Sequence, residues 1–239
     1  RGFADGALFE LGQAYRGLEP EDQFVGASGV RFGQSSLAGA GRHWSGAAPE
    51  AGWAVVKADA IAVLEALGFS QGNVQIAREA PDWFHPGRSG AIKLGPKVTL
   101  GVFGELHPDT LESLDADGPM AAFELYLDNQ PPSKRKGTAK AALDASDLQA
   151  VTRDFAFLVD AETDAGALVR AASGADRTLI SNVNVFDEFT GQGVPEGKKS
   201  LAIEVTLQPR DKTLTDEEID SVAEEVVASV TKATGGTLR

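Results

Sequence analysis

Asn184-Val185-Phe186-Asp187-Glu188-Phe189-Thr190-Gly191-Gln192-Gly193-Val194-Pro195-Glu196-Gly197-Lys198-Lys199-Ser200-Leu201-Ala202-Ile203-Glu204-Val205-Thr206-Leu207 decides the fold of the second half of the chain. It reads as a strand, a loop punctuated by Gly191, Gly193, Pro195 and Gly197, and a returning strand. The loop is too long for a two-residue hairpin, and its residues suit positive φ and fixed turns. In the returning strand Leu201, Ile203, Val205 and Leu207 alternate with Ser200, Ala202, Glu204 and Thr206. A period of two buries one face and gives the other a different character.

Outward from this stretch, residues 148–239 carry an ordered pattern. Asp154 to Val159 reads as a strand with Phe155, Phe157 and Val159 on one face and Ala156 on the other. Residues 164–173 read as a short helix, with Leu168 and Ala172 four apart and Gly174 as its stop. The strands flanking the loop run over 178–189 and 200–207. Thr215-Asp216-Glu217-Glu218 is a capping box, and the helix it opens carries Ile219, Val222, Val226 and Val230 on one stripe. Thr237-Leu238-Arg239 leaves room for a short last strand. The order β-α-β-β-α-β is the ferredoxin-like split arrangement, in which two helices cover one face of four strands.

The first half predicts a largely antiparallel sheet. Residues 5–15 and 23–32 read as strands. Residues 34–52, with Arg42-His43-Trp44, read as a loop or short helix. Val56 to Leu67 has helical spacing, stopped by Gly68. There follow a strand near 73–79, a turn at Phe84-His85-Pro86-Gly87, and strands near 89–94 and 97–104 joined at Gly95-Pro96. A short helix over 109–114 and a strand from Met120 to Leu127 complete it. The fold class is therefore α+β. Between the halves, Asn129 to Lys140 holds Lys134, Arg135, Lys136 and Lys140 and no acidic residue. It reads as a linker, either solvated or in touch with a phosphate backbone. The expected divisions are 1–130, a linker over 131–146, and 147–239.

Composition bounds the function. The chain has 239 residues, enough for two modest domains, and its 42% hydrophobic content supplies their cores. The absence of cysteine excludes a disulfide framework and cysteine-based metal or nucleophile chemistry, and suits a reducing compartment. No apolar run approaches the roughly 20 residues that span a bilayer. A net charge of -13 counts against a broad nonspecific nucleic-acid surface. It leaves room for a small site that reads RNA by stacking and base-edge hydrogen bonds. The opening Arg1-Gly2-Phe3 reads as the middle of a longer chain, so a fragment is expected.

The alternation places Ala156, Ser200, Ala202 and Glu204 on the helix-free face. In the strand before the loop, Phe186 is expected inside, with Asp187 and Phe189 on the opposite side. That register leaves Val183 and Val185 on the open side unless a bulge intervenes. One end of the open face then presents an aromatic (Phe189), a carboxylate (Asp187), a hydroxyl (Ser200) and a small floor residue (Ala156), joined by Arg239 from the last strand. An exposed aromatic stacks on an unpaired base, and a carboxylate accepts from base amines. The alternative is a protein-interaction scaffold whose open sheet face docks a partner chain. Lys198 and Lys199 read either as phosphate contacts or as a solvated loop tip. His43, His85 and His107, with Asp82, Glu105 and Asp109 nearby, lack metal-ligand spacing and read as structural. No nucleophile-elbow or phosphate-loop motif appears, and no metal site or catalytic residue is expected.

At these residues the chain resembles a known family. Arg153-Asp154-Phe155-Ala156, Phe186 to Gly191, Gly197 to Ala202 and Thr213 to Glu218 resemble the ferredoxin-fold anticodon-binding domain of the bacterial phenylalanyl-tRNA synthetase β subunit. That resemblance covers about residues 146–239. Ala7 to Gly12, His43-Trp44, Leu64 to Gly68, His85 to Ala91 and Gly101 to Pro108 resemble the catalytic-like module of the same subunit. The resemblance implies an N-terminally truncated, non-catalytic class II synthetase-like antiparallel domain followed by a ferredoxin-like βαββαβ domain. It implies assembly with a catalytic α subunit in an α2β2 heterotetramer, recognition of the tRNA(Phe) anticodon, and ATP-dependent attachment of phenylalanine by the whole enzyme. ATP and magnesium are implied for that enzyme and no cofactor for this fragment, which alone is expected to be non-catalytic, cytoplasmic and without membrane contact. The implied RNA contacts are Ala156, Asp187, Phe189, Ser200 and Arg239. The stacking position is often Tyr in the family; Phe189 keeps the stack and lacks the hydroxyl.

Overall fold

Ten strands and four helices account for most of the described residues, 3–35, 49–69, 74–129 and 145–239, of the computed structural model. The chain divides into two units, Arg1–Thr138 and Ala139–Arg239, each built on one antiparallel sheet. Arg42-His43-Trp44 and residues 131–144 of the expected linker lie outside the described residues. Ser146, also expected in the linker, hydrogen bonds through its hydroxyl to the Pro209 carbonyl at 2.7 Å.

In the first unit, strands β1 (Gly6–Tyr15), β2 (Gln23–Phe32), β3 (Gln75–Ala77), β4 (Phe84–Leu94), β5 (Val98–Leu106) and β6 (Met120–Tyr126) lie in the order β1-β2-β6-β5-β4-β3. Helix α1 (Trp53–Ala66) presents Val56, Ala60 and Leu64, spaced four apart. They pack on Ile92, Leu100, Phe103, Ala121, Phe123 and Leu125 of one sheet face. The short helix α2 (Pro108–Ser113) is opened by His107, whose Nδ1 accepts from the Asp109 N–H.

The turn expected at Phe84-His85-Pro86-Gly87 is not a turn. These residues belong to β4, which advances from Phe84 to Ser89 while its partner β5 moves only from Leu106 to Gly104. The surplus is taken up as an irregular bulge. Gly87 N–H donates to His85 Nδ1, and the Ser89 hydroxyl donates to the His85 carbonyl. Proline and glycine marked a real break in pairing, and the strand continues through it.

The second unit has β7 (Val151–Asp160), α3 (Ala165–Ser173), β8 (Ile180–Phe189), β9 (Lys198–Leu207), α4 (Asp216–Thr234) and β10 (Thr237–Leu238). The sheet order is β10-β7-β9-β8, and every pairing is antiparallel. Both helices pack on one face, where Phe155, Phe157, Val159, Leu201, Ile203, Val205 and Leu207 meet Leu168, Ala172, Ile219, Val222, Val226 and Val230. Burying each large side chain of this set contributes about 1.5–3 kcal/mol. Thr215 and Glu218 close the capping box, with Thr215 Oγ1 accepting from the Glu218 N–H and Glu218 Oε2 from the Thr215 N–H. A lysine, Lys212, pairs with the same carboxylate at 2.6 Å.

Candidate nucleic-acid interface

Residues paired across antiparallel strands share a face. Leu158, Ser200 and Phe189 therefore form one row on the helix-free face of the second sheet, with Thr237 at its end. Ala156, Ala202 and Asp187 form the next row, and Asp154, Glu204 and Asn184 a third. Successive rows lie about 6.8 Å apart, two residues along an antiparallel strand.

Asp187 and Phe189 reach this face by a route different from the expected one. Val183 and Val185 pair with Val205 and Ile203 and pack against the helix-side core. Phe186, expected inside, is 54% exposed. Between the Val185–Ile203 and Asp187–Ala202 pairs β8 holds one more residue than β9. Phe186 is that residue, and the bulge reverses the parity of everything after it. Asp187 and Phe189 are thereby turned to the open face although Val183 and Val185 are not.

The site's side chains are positioned by their strands and by the loop. Phe189 is 41% exposed. Its ring lies over Gly191, where a side-chain carbon would stand 2.9 Å from it; glycine leaves the ring its seat. Gly197, at φ 76°, turns the chain into β9 in a conformation that favours glycine. Ser200 is 95% buried on the open face, and its hydroxyl has no hydrogen-bond partner among the described residues. A buried hydroxyl left unpaired costs about 1–3 kcal/mol. Ala156 and Ala202, directly opposed, make a flat floor beside it. Arg239 N–H donates to the Ala156 carbonyl at 2.8 Å, which fixes the chain end beside this floor. The guanidinium crosses to the loop, with Nη2 3.5 Å from the place of a side-chain carbon on Gly193.

Lys198 and Lys199 do not sit at a loop tip. Both belong to β9 and both face carboxylates: Lys198 Nζ is 2.5 Å from Asp160 Oδ1, and Lys199 Nζ is 3.4 Å from Glu188 Oε2. Lys198 shares the face of Ser200. Lys199 shares the face of Leu201 and is buried, so it stands on the other side of the sheet from Phe189. Leu158, absent from the sequence-derived site, lies beside Ser200; its parity with Ala156 carried the signal. Among the described residues no three His, Asp or Glu side chains converge to hold a metal ion. Nor is any helix long and apolar enough to cross a membrane.

The second unit is a ferredoxin-like sheet with helices on one face and, on the other, an aromatic, a carboxylate and a hydroxyl without a partner among the described residues. A family model described as ferredoxin-fold anticodon binding domain matches residues 146–239, and one described as phenylalanyl tRNA synthetase beta chain CLM domain matches residues 1–127. The phenylalanine–tRNA ligase β subunits of Bradyrhizobium diazoefficiens and Rhodopseudomonas palustris are each 56% identical to this chain, and that of Brucella suis 53%. Each match covers 100% of this chain, which spans 30% of the length of these curated relatives. The chain belongs to the phenylalanyl-tRNA synthetase β chain family.

Proposed function

We propose that the second unit reads the anticodon of tRNA(Phe) with the open face of its sheet, as part of a phenylalanine–tRNA ligase. One observation carries this reading: an exposed Phe189 ring stands beside a buried Ser200 hydroxyl without a partner among the described residues, over a floor of Ala156 and Ala202. An unpaired base stacked on Phe189 gives that hydroxyl a hydrogen bond and lies flat on the alanines. Asp187, in the adjoining row, accepts from base N–H groups. Arg239 and Lys198 flank the same end and supply phosphate contacts; Lys199, on the opposite side, takes no part in this pose.

The first unit serves assembly with a catalytic α subunit, in an α2β2 arrangement. Its edge strand β1 exposes Leu8, Phe9, Leu11 and Tyr15, apolar surface of the kind that a partner covers. Residues 131–146 join it to the RNA-reading domain, 147–239. In the cytoplasm the whole ligase attaches phenylalanine to tRNA with ATP and magnesium, and the chemistry is supplied outside this chain. The test is binding of the chain to the anticodon stem-loop of tRNA(Phe) and to a loop with one anticodon base changed. We expect the matched loop to bind at least tenfold tighter; equal affinity for both refutes base recognition.

A further inference from the structure

We propose that Asp154 and Glu204 form a carboxylate fence that sharpens base selection by keeping the RNA backbone off the centre of the sheet. This rests on the RNA-reading proposal above. Asp154 and Glu204 are directly opposed across β7 and β9, in the row next to Ala156, Ala202 and Asp187. Like charges directly opposite each other destabilise a sheet. Neither carboxylate has a hydrogen bond or ion pair among the described residues, so nothing local offsets their repulsion. A pairing that breaks a local rule without compensation is characteristic of a functional surface.

The position of the pair gives the repulsion a direction. Lys198 lies beyond the Ser200 row at one end of the open face, and the Arg239 guanidinium reaches the loop at that same end. Asp154 and Glu204 occupy the other side of the alanine floor. The face is graded: the Arg239 guanidinium and the Lys198–Asp160 pair stand beside the stacking ring, Asp187 lies in the floor row, and Asp154 and Glu204 lie together one row past it. A nucleotide stacked on Phe189 keeps its phosphates at the end where the Arg239 guanidinium stands. A loop without the correct base holds on through its backbone alone. Draped across the sheet, it sets phosphates against two carboxylates. At about 7 Å each such repulsion weakens binding by roughly twofold, less at high salt. The fence thus penalises the wrong partner more than the right one.

The variants Asp154→Asn, Glu204→Gln and their combination, made in this chain, test the proposal. Binding is measured to the tRNA(Phe) anticodon stem-loop and to the loop with one anticodon base changed. In the double variant we expect the altered loop to tighten about fivefold and the matched loop by less than twofold, so that discrimination falls about threefold. We also expect the melting temperature to rise, because the like-charge pair is gone. A more stable double variant with unchanged discrimination overturns the fence and leaves the pair as strain alone. Phe189→Ala, measured alongside, separates the two levels. If it weakens matched binding while neutralising the pair leaves discrimination unchanged, the fence fails and the RNA reading stands. If it leaves matched binding unchanged, the RNA reading fails and the fence with it.

Discussion

The two sheets treat their helix-free faces in opposite ways. In the first unit that face holds buried Phe84, Ala91 and Val102, and its half-buried Glu124 carboxylate and the Arg16 guanidinium have partners within the fold. Trp83 Nε1 donates to Glu124 Oε1 at 3.0 Å, and burial pushes the Glu124 carboxyl above the usual carboxylate range. The Arg16 guanidinium lies 4.5 Å from the centre of the Phe24 ring and 5.1 Å from that of Tyr126. In the second unit the corresponding face leaves the Ser200 hydroxyl buried and unpaired among the described residues, Asp154 and Glu204 opposed, and Phe189 exposed. The lesson is one of accounting for polar groups. Where buried polar groups have partners inside the fold, as Glu124 does, they belong to the fold. Where they do not, as at Ser200, the proposed RNA supplies the missing partner.

The largest effect expected to sharpen this contrast is on stability, from the helix side of the second sheet. Phe157 is fully buried among Leu201, Leu168 and the α4 stripe. Phe157→Ala is expected to lower unfolding free energy by about 3–5 kcal/mol in urea denaturation. Phe189→Ala, on the other face, is expected to change it by no more than about 0.5 kcal/mol. Its RNA affinity instead falls by about 1–3 kcal/mol, the worth of one base stack. A large loss of stability in Phe189→Ala breaks the contrast, because the ring then belongs to the core.

Ser200→Ala gives a smaller and more diagnostic effect. A hydroxyl that holds the fold costs stability when removed. One waiting for a ligand does not. Ser200→Ala is expected to keep or raise the melting temperature and to weaken stem-loop binding by about 0.5–1.5 kcal/mol. A drop in melting temperature with unchanged RNA affinity places Ser200 with the structural polar groups of the first sheet.

Much of this contrast is legible in the sequence, because a period of two is a strong signal where no bulge interrupts it. β9 alternates without a break, so Ser200, Ala202 and Glu204 were assignable to the open face from the residues alone. β8 was not, because one surplus residue reverses parity and alternation does not say which residue it is. Phe186 looked like core by composition and is the bulge. His85-Pro86-Gly87 misled in a related way: breaker residues marked lost pairing, and the backbone nevertheless stayed extended through it. The lysines after Gly197 read equally as phosphate contacts or a loop tip, because alternation is clear only from Ser200 while β9 begins at Lys198. The unpaired state of Ser200 has no sequence signal, since it depends on what the neighbouring strands bring near the hydroxyl.

Methyl NMR of the chain titrated with the tRNA(Phe) anticodon stem-loop tests the central claim most directly, because it reports the two faces of one sheet separately. The Ala156 and Ala202 methyls, on the open face, are predicted to shift with the RNA. The Leu201, Ile203 and Val226 methyls, on the helix side, are predicted to stay in place. Shifts on the helix side with silent alanines would contradict the account.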